Sequence, residues 1–354
     1  MPAAGKIQDV DSPPGAQKSY VVSLFRGEQL VIPCSNSVMR LLVTGKETGM
    51  TFAVVSTGGS AADPIGYHFH REAHDVFLCL KGNVNVWAND TARTMSPGDF
   101  ASVPPGVVHQ YQVLGDHSEF VGLIIPGGWE EFFRIIGEPY DGPFFPVNDT
   151  RDPREVLIPK LIQAAETCDM VPVRDHPPVE VQPWVSGKDN ALPNGLEPYY
   201  LRANTGPKWI VEGTICRPLI TTVQSNNKFS VASLEGGNVH RNFPSSVGQL
   251  RWDSIHHCFA VVHGKVKFQV GKESVKLSAE DTIFIPAAEG FSFSFESPFA
   301  QMYVFANGGG VAELVIKVGR KMEAPGSIPE KPMTEWQAAQ VTELASEHGF
   351  VVEQ

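Results

Sequence analysis

One pattern occurs twice in this chain. The run Asp75-Val76-Phe77-Leu78-Cys79-Leu80-Lys81-Gly82-Asn83-Val84 aligns with His257-Cys258-Phe259-Ala260-Val261-Val262-His263-Gly264-Lys265-Val266 at a constant offset of 182. The same offset carries Asp99 onto Asp281 and Pro104 onto Pro286 without a gap, and Lys46 to Gly59 resembles Ser225 to Gly237 after a small shift. Self-similarity on this scale means one fold used twice. A length of 354 residues exceeds what one hydrophobic core holds, and 42% hydrophobic content is enough for two. The 33 glycines and 28 prolines, spread among short Val/Ile/Phe runs such as Phe52-Ala53-Val54-Val55 and Val84-Asn85-Val86-Trp87, favour an all-β barrel. Alternation in Phe291-Ser292-Phe293-Ser294-Phe295 marks a strand with one apolar face.

The chemistry is concentrated in the first copy. In Gly66-Tyr67-His68-Phe69-His70 the two histidines stand two apart. On a β-strand that spacing sends both imidazoles to the same side, and a third histidine on another strand, His109 after Pro104-Pro105-Gly106, can complete the set. Three neutral imidazoles, with or without a carboxylate such as Asp75, suit Fe, Cu, Ni, Mn or Zn and leave coordination positions open. Open positions point to chemistry rather than a structural staple. The second copy has Leu250 and Trp252 in place of His68 and His70, His257 in place of Asp75 and Phe291 in place of His109, so it is expected to hold no metal. The remaining pair His256 and His257 reads as packing.

The spacing of His68, His70, Asp75, Gly82 and His109 resembles the two motifs of the cupin superfamily, in which a His-x-His, an acidic residue and a distal His bind metal inside a small β-barrel. The resemblance implies two cupin barrels, each a double-stranded β-helix or jelly roll, with a few short helices. The expected division is an N-terminal metal-bearing barrel over 1–145, a helical and proline-rich linker over 146–195, a C-terminal barrel without ligands over 196–325 and a C-terminal helix over 326–354. A metal set in the first barrel only, the Phe132-Phe133 helix and a proline-rich connection look like the fungal-type quercetin 2,3-dioxygenases. That likeness implies one metal in the N-terminal barrel, copper first, with Mn, Fe, Co, Ni or Zn as alternatives. It binds a deprotonated flavonol, and O2 then opens the oxygen heterocycle with loss of carbon monoxide. By this resemblance His68, His70 and His109 are ligands, and Asp75 is the acidic member that ligates or takes the substrate proton. The family normally has Glu there, one methylene longer, which puts the reach of Asp75 in question and brings non-flavonol polycyclic phenols into range. Glu72 and His74 share strand parity with the ligands, but His74 recurs as His256, which argues for structure.

Pocket residues follow from parity. Phe77 and Tyr111 each lie two beyond a ligand position and face inward, and Phe52, Trp129, Phe132 and Phe133 are candidate walls for a planar substrate. The alternative function is an O2-independent cupin enzyme: an isomerase, cyclase, hydrolase or decarboxylase. An oxalate-type decarboxylase is disfavoured because such enzymes normally keep metal in both barrels. A non-catalytic storage bicupin is the third reading, opposed by the complete histidine set.

A formal net charge of −11 excludes phosphate backbones and anionic lipids as partners, so the expected partners are an aromatic small molecule and O2, with a second copy of the chain as a candidate dimer mate. No run of about 18 apolar residues is present, and the start lacks a secretory signal's apolar core, so the chain as given reads as cytosolic. Five scattered cysteines make a disulfide framework improbable. Trp129 to Gly137 and Arg154 to Cys168 have helical spacing, Val171 to Pro198 reads as an extended linker, and Thr334 begins a capping-box helix to about Glu347. These helices are expected to be scaffold or dimer contacts.

Overall fold

The computed structural model describes residues 7–142, 144–323, 331, 332, 341, 343–345 and 349–353. They form two compact units. Each is a cupin-type β-barrel, as expected.

The first barrel comprises Asp11–Ala16 and Phe25–Thr205. Its spine is an antiparallel sheet in the order Glu28–Ile32, Ser37–Val43, Ala53–Gly59, His109–Ile125, His74–Ala88, Phe100–Val103 and Tyr199–Leu201. The strands His74–Ala88 and His109–Ile125 run for 15 and 17 residues. Their pairing changes register between Leu114 and Phe120, where the ladder passes from one layer of the barrel to the other. In the second barrel the same stretches are divided, and the parts Lys265–Val270 and Phe291–Phe295 lie in a different sheet from His257–His263 and Ala300–Ala306. Gly82 sits at this corner with φ +65°, and its repeat partner Gly264 has φ +71°. A Cβ on Gly82 would fall 2.1 Å from Ser118 Oγ and 2.5 Å from the His117 carbonyl, so both the backbone angle and the space require glycine.

Of the described residues, the second barrel comprises 7–10, Gln17–Leu24 and those from Gly206 onward. A nine-stranded sheet faces a five-stranded one. Tyr20–Ser23 pairs with Asp281–Ile285, so the N-terminal segment belongs to this barrel, whereas Tyr199–Leu201 pairs with Phe100–Val103 in the first. The expected boundaries at 1–145 and 196–325 are corrected accordingly. They failed because strand pairing is long-range, while a boundary read from the sequence follows only the composition of a linker. The C-terminal helix expected over 326–354 lies largely outside the described residues, and its last part is corrected: Phe350–Glu353 is a strand paired with Gln249–Trp252.

Helical segments are few and short. Glu131–Ile136 begins where Glu130 is pinned, its carboxylate accepting from Gly45 N at 2.6 Å and Gly128 N at 2.7 Å. The segment expected as one helix over 154–168 is two, Pro153–Val156 and Ile158–Thr167, broken ahead of Pro159. The linker 171–198 is largely extended and strapped to the first barrel: Trp87 Nε1 donates to Val179 O at 2.7 Å, and buried Arg93 pairs with Asp189 at 2.8 Å. Among the described residues no helix is long and apolar enough to cross a membrane.

Gly82→Ala should destabilise the first barrel by roughly 2 kcal/mol or more, through left-handed strain and overlap with Ser118. Denaturant titration checks this, with wild-type stability as the contrary result.

Candidate metal centre and its cavity

His68 lies on the two-residue strand His68–Phe69, which pairs with His109–Ile125 so that His68 and His109 are directly opposite. His70 follows just past the strand end. Their ligand-capable nitrogens lie within 4.8 Å of one another, the one metal-competent cluster of this kind among the described residues. His70 and His109 are buried and His68 half-buried.

The outer nitrogen of each ring is committed. His68 Nδ1 lies 2.9 Å from Gly66 O and His109 Nδ1 2.9 Å from Val107 O, while His70 Nδ1 contacts Asp169 O. A carbonyl only accepts, so each Nδ1 carries the hydrogen and each Nε2 offers its lone pair inward. Asp75 Oδ2 stands 3.2 Å from His70 Nε2 and 3.5 Å from His109 Nε2. His70 Nε2, His109 Nε2 and Asp75 Oδ1 are buried without a hydrogen-bond partner. Converging acceptors of this kind suit a cation between them.

Protonation tendencies agree. Burial, with His109 and His70 alongside, holds His68 well below the ordinary histidine range. Burial also opposes charge on His70, yet the Asp75 carboxylate beside it and the Asp169 carbonyl carry its pKa upward. For Asp75, burial pushes upward, but His70 and His109 together hold the carboxyl well below its usual range. The carboxylate is therefore ionised and the His68 ring neutral, while His70, beside the carboxylate, favours a proton that a bound cation would displace.

The cluster opens into a cavity of about 1330 Å³. Phe77, Tyr111 and Phe132 line it as expected, together with Trp129 and Phe133. Tyr111 packs against Phe77 at 5.9 Å and Phe120 at 5.0 Å between ring centroids. Phe52 does not line it: it is fully buried in the core beside Gly127, ahead of Ala53–Gly59. Its aromatic character suggested a wall, but only burial on the other side of the strand explains its position. The bend at Arg71 and Glu72 breaks the parity that linked Glu72 and His74 to the ligands. Glu72 is exposed, and His74 Nε2 bonds Ser102 Oγ at 2.8 Å.

Three contributors were not foreseen. Phe120 forms a wall from the far half of the long strand, a placement that depends on the register shift. Helix Ile158–Thr167 contributes Ile158, Leu161, Ile162 and Ala165 to the cavity, so it is more than scaffold. Asp169 meets His70 from nearly a hundred residues away. The apolar side of the helix was visible in sequence; what it packs on was not.

In the second barrel the register survives without the ligands. Leu250 pairs with Phe291 as His68 pairs with His109. Trp252, Phe291 and Phe259 surround His257, whose Nε2 accepts from Val311 N at 3.2 Å. The vacated site is packed core.

Residues 53–125 match the family described as Cupin domain. A quercetin 2,3-dioxygenase of Bacillus subtilis (strain 168) is 30% identical over 167 residues, 47% of this chain and 48% of the relative, so that match spans about half of each. A quercetin 2,3-dioxygenase of Aspergillus japonicus is 24% identical over 326 residues, 84% of this chain and 91% of the relative. An oxalate decarboxylase of Lactobacillus farciminis, solved as a formate complex, superposes with a TM-score of 0.53 at 16% identity over 93% of this chain and 92% of that one, a likeness of fold. The chain carries two cupin-type barrels, the first with a matched cupin domain. In sequence it is similar to quercetin 2,3-dioxygenases.

Burial, together with the neighbouring His256, pushes His257 down to about 3 from 6.5, so the folded state binds fewer protons than the unfolded state between those values. Stability is therefore lost as pH falls below 6.5. His257→Gln should reduce the stability difference between pH 7 and pH 5 by about 2 kcal/mol in denaturant titrations. His68→Ala and His109→Ala should lose bound metal while keeping a wild-type circular dichroism spectrum, because the barrel core does not depend on the ligands; unfolding of both would contradict this.

Proposed function

We propose that the protein is a metal-dependent dioxygenase acting with O2 on a flavonol or a related polycyclic phenol. The observation that carries this reading is the convergence of three inward Nε2 atoms and an ionised carboxylate at the wall of a large aromatic cavity. His68, His70 and His109 would hold the metal. When bound, the ion supplies Lewis acidity and open positions for the phenolate and O2.

The shorter carboxylate is long enough. Ligand atoms around one ion at ~2.0–2.2 Å are about 3.0–3.5 Å apart when adjacent, and Asp75 Oδ2 lies at 3.2 Å and 3.5 Å from two of the nitrogens. Asp75 is thus assigned to the ligand set through Oδ2, with Oδ1 left to accept the substrate hydroxyl proton. Phe77, Tyr111 and Phe120 would stack the rings and exclude water from the reacting end. The cavity exceeds the ~300–1,000 Å³ usual for small ligands, which favours a substrate larger than a bare flavonol.

Elemental analysis of purified protein, run beside oxygen uptake with quercetin, tests the assignment. One transition metal per chain with uptake and carbon monoxide release is expected. Metal without uptake on quercetin or on larger polycyclic phenols would discard the dioxygenase and leave the O2-independent reading. Asp75→Asn should keep most of the metal and lower turnover about 100-fold or more; unchanged turnover would remove Asp75 from proton transfer.

A further inference from the structure

We propose that Asp169 is a positioning residue that fixes His70 by clamping the chain segment after helix Ile158–Thr167 onto the turn carrying that ligand. Its carboxylate accepts three successive backbone hydrogens: Arg71 N on Oδ1 at 2.8 Å, and Glu72 N and Ala73 N on Oδ2 at 2.7 Å and 3.1 Å. Its own carbonyl faces His70 Nδ1 and also accepts from Trp129 Nε1 at 3.2 Å. One residue therefore holds the bend where the strand ends, the tautomer of the ligand and the indole against that ligand, whose ring lies 4.8 Å from His70.

Charge-assisted bonds to three adjacent amides are among the stronger ways to fix a bend. His70 stands beyond the two-residue strand, where its carbonyl accepts from Gly106 N at 2.7 Å and the bend that follows, Arg71 to Ala73, is held by the Asp169 carboxylate. His68 and His109 have backbone carbonyls two residues away in their own chain segments as Nδ1 partners. His70 alone takes its partner from a distant segment.

The internal repeat separates this role from a merely structural one. After Asp169 the chain pairs as Val171 opposite Phe69 and Pro172 opposite His68. In the second barrel Val351 lies opposite Arg251 and Val352 opposite Leu250, the same register at the repeat positions. Both barrels thus carry this added strand, and the residue two before the matching positions Val171 and Val351 is Asp169 in one and Gly349 in the other. Among the described residues, the barrel that lacks the metal ligands pairs the strand without such a clamp. The carboxylate accompanies the ligand set rather than the fold.

This inference rests on the metal-centre reading, and the test separates the two. Wild type, Asp169→Ala and Asp169→Asn are titrated with Cu(II) against a competing chelator, and Cu(II) electron paramagnetic resonance spectra and thermal melts are recorded. Cu(II) affinity is expected to fall 10–100-fold in Asp169→Ala, with altered copper hyperfine splitting. Asp169→Asn, which keeps one acceptor oxygen, should fall between. Lower melting temperatures with unchanged affinity and spectrum would reduce Asp169 to a structural residue. A wild-type protein that binds no Cu(II) or other transition metal would defeat the metal centre itself. Should Asp169→Ala not fold, Asp169→Asn carries the same comparison, and wild-type affinity and spectrum in that variant would overturn the proposal.

Discussion

The antiparallel register that sets His109 opposite His68 is the constraint on which the site depends. Opposed residues on neighbouring strands bring their side chains to the same face at short range. His70, two positions on, is added by the period of the strand, and Asp75 enters from the far neighbour of the same ladder, opposite Ile124. A slip of one residue would turn these groups to the opposite face. Register is protected by Gly82 at the corner and by buried strands on either side, so the metal site derives its geometry from the same pairing that builds the barrel.

The second barrel displays that pairing without the chemistry. Leu250, Trp252 and Phe291 occupy the ligand positions, and the rings around His257 close the interior. Other polar devices persist. Asp99 and Asp281 accept from Ser96 N and Ser278 N in equivalent turns. Glu130 and Glu313 each accept from the backbone of the loop after an early strand, at Gly45 and Thr222. Arg40 and Arg217 are both buried, the first pairing with Glu119 and the second facing Glu235 on a neighbouring strand. These backbone-holding groups recur, whereas among the described residues the three-histidine set occurs once.

Much of this was legible in sequence because it is periodic. A strand repeats every two residues, so His68, His70, Phe77 and Tyr111 could be placed on the inner face, and the offset of 182 foretold the packed second barrel. What depends on chain crossings was not legible. Tyr20–Ser23 completes a sheet whose partner strand lies more than 250 residues later, and Asp169 meets a turn it nowhere resembles in sequence. Glu72 shows the reverse error: alternation was extended past a strand's edge, where the chain bends and parity ceases to hold.

The two barrels also bear opposite costs. A buried imidazole nitrogen or carboxylate oxygen without a partner costs about 1–3 kcal/mol, and His70 Nε2, His109 Nε2 and Asp75 Oδ1 are three such atoms in one place. At the matching positions the second barrel has Trp252 and Phe291 in ring contact and His257 with its Nε2 accepting from Val311 N, an arrangement expected to stabilise it. A fold that had drifted toward stability alone would have filled both interiors. The first barrel instead keeps a converging polar set beside an open cavity, the arrangement that the proposed metal site needs.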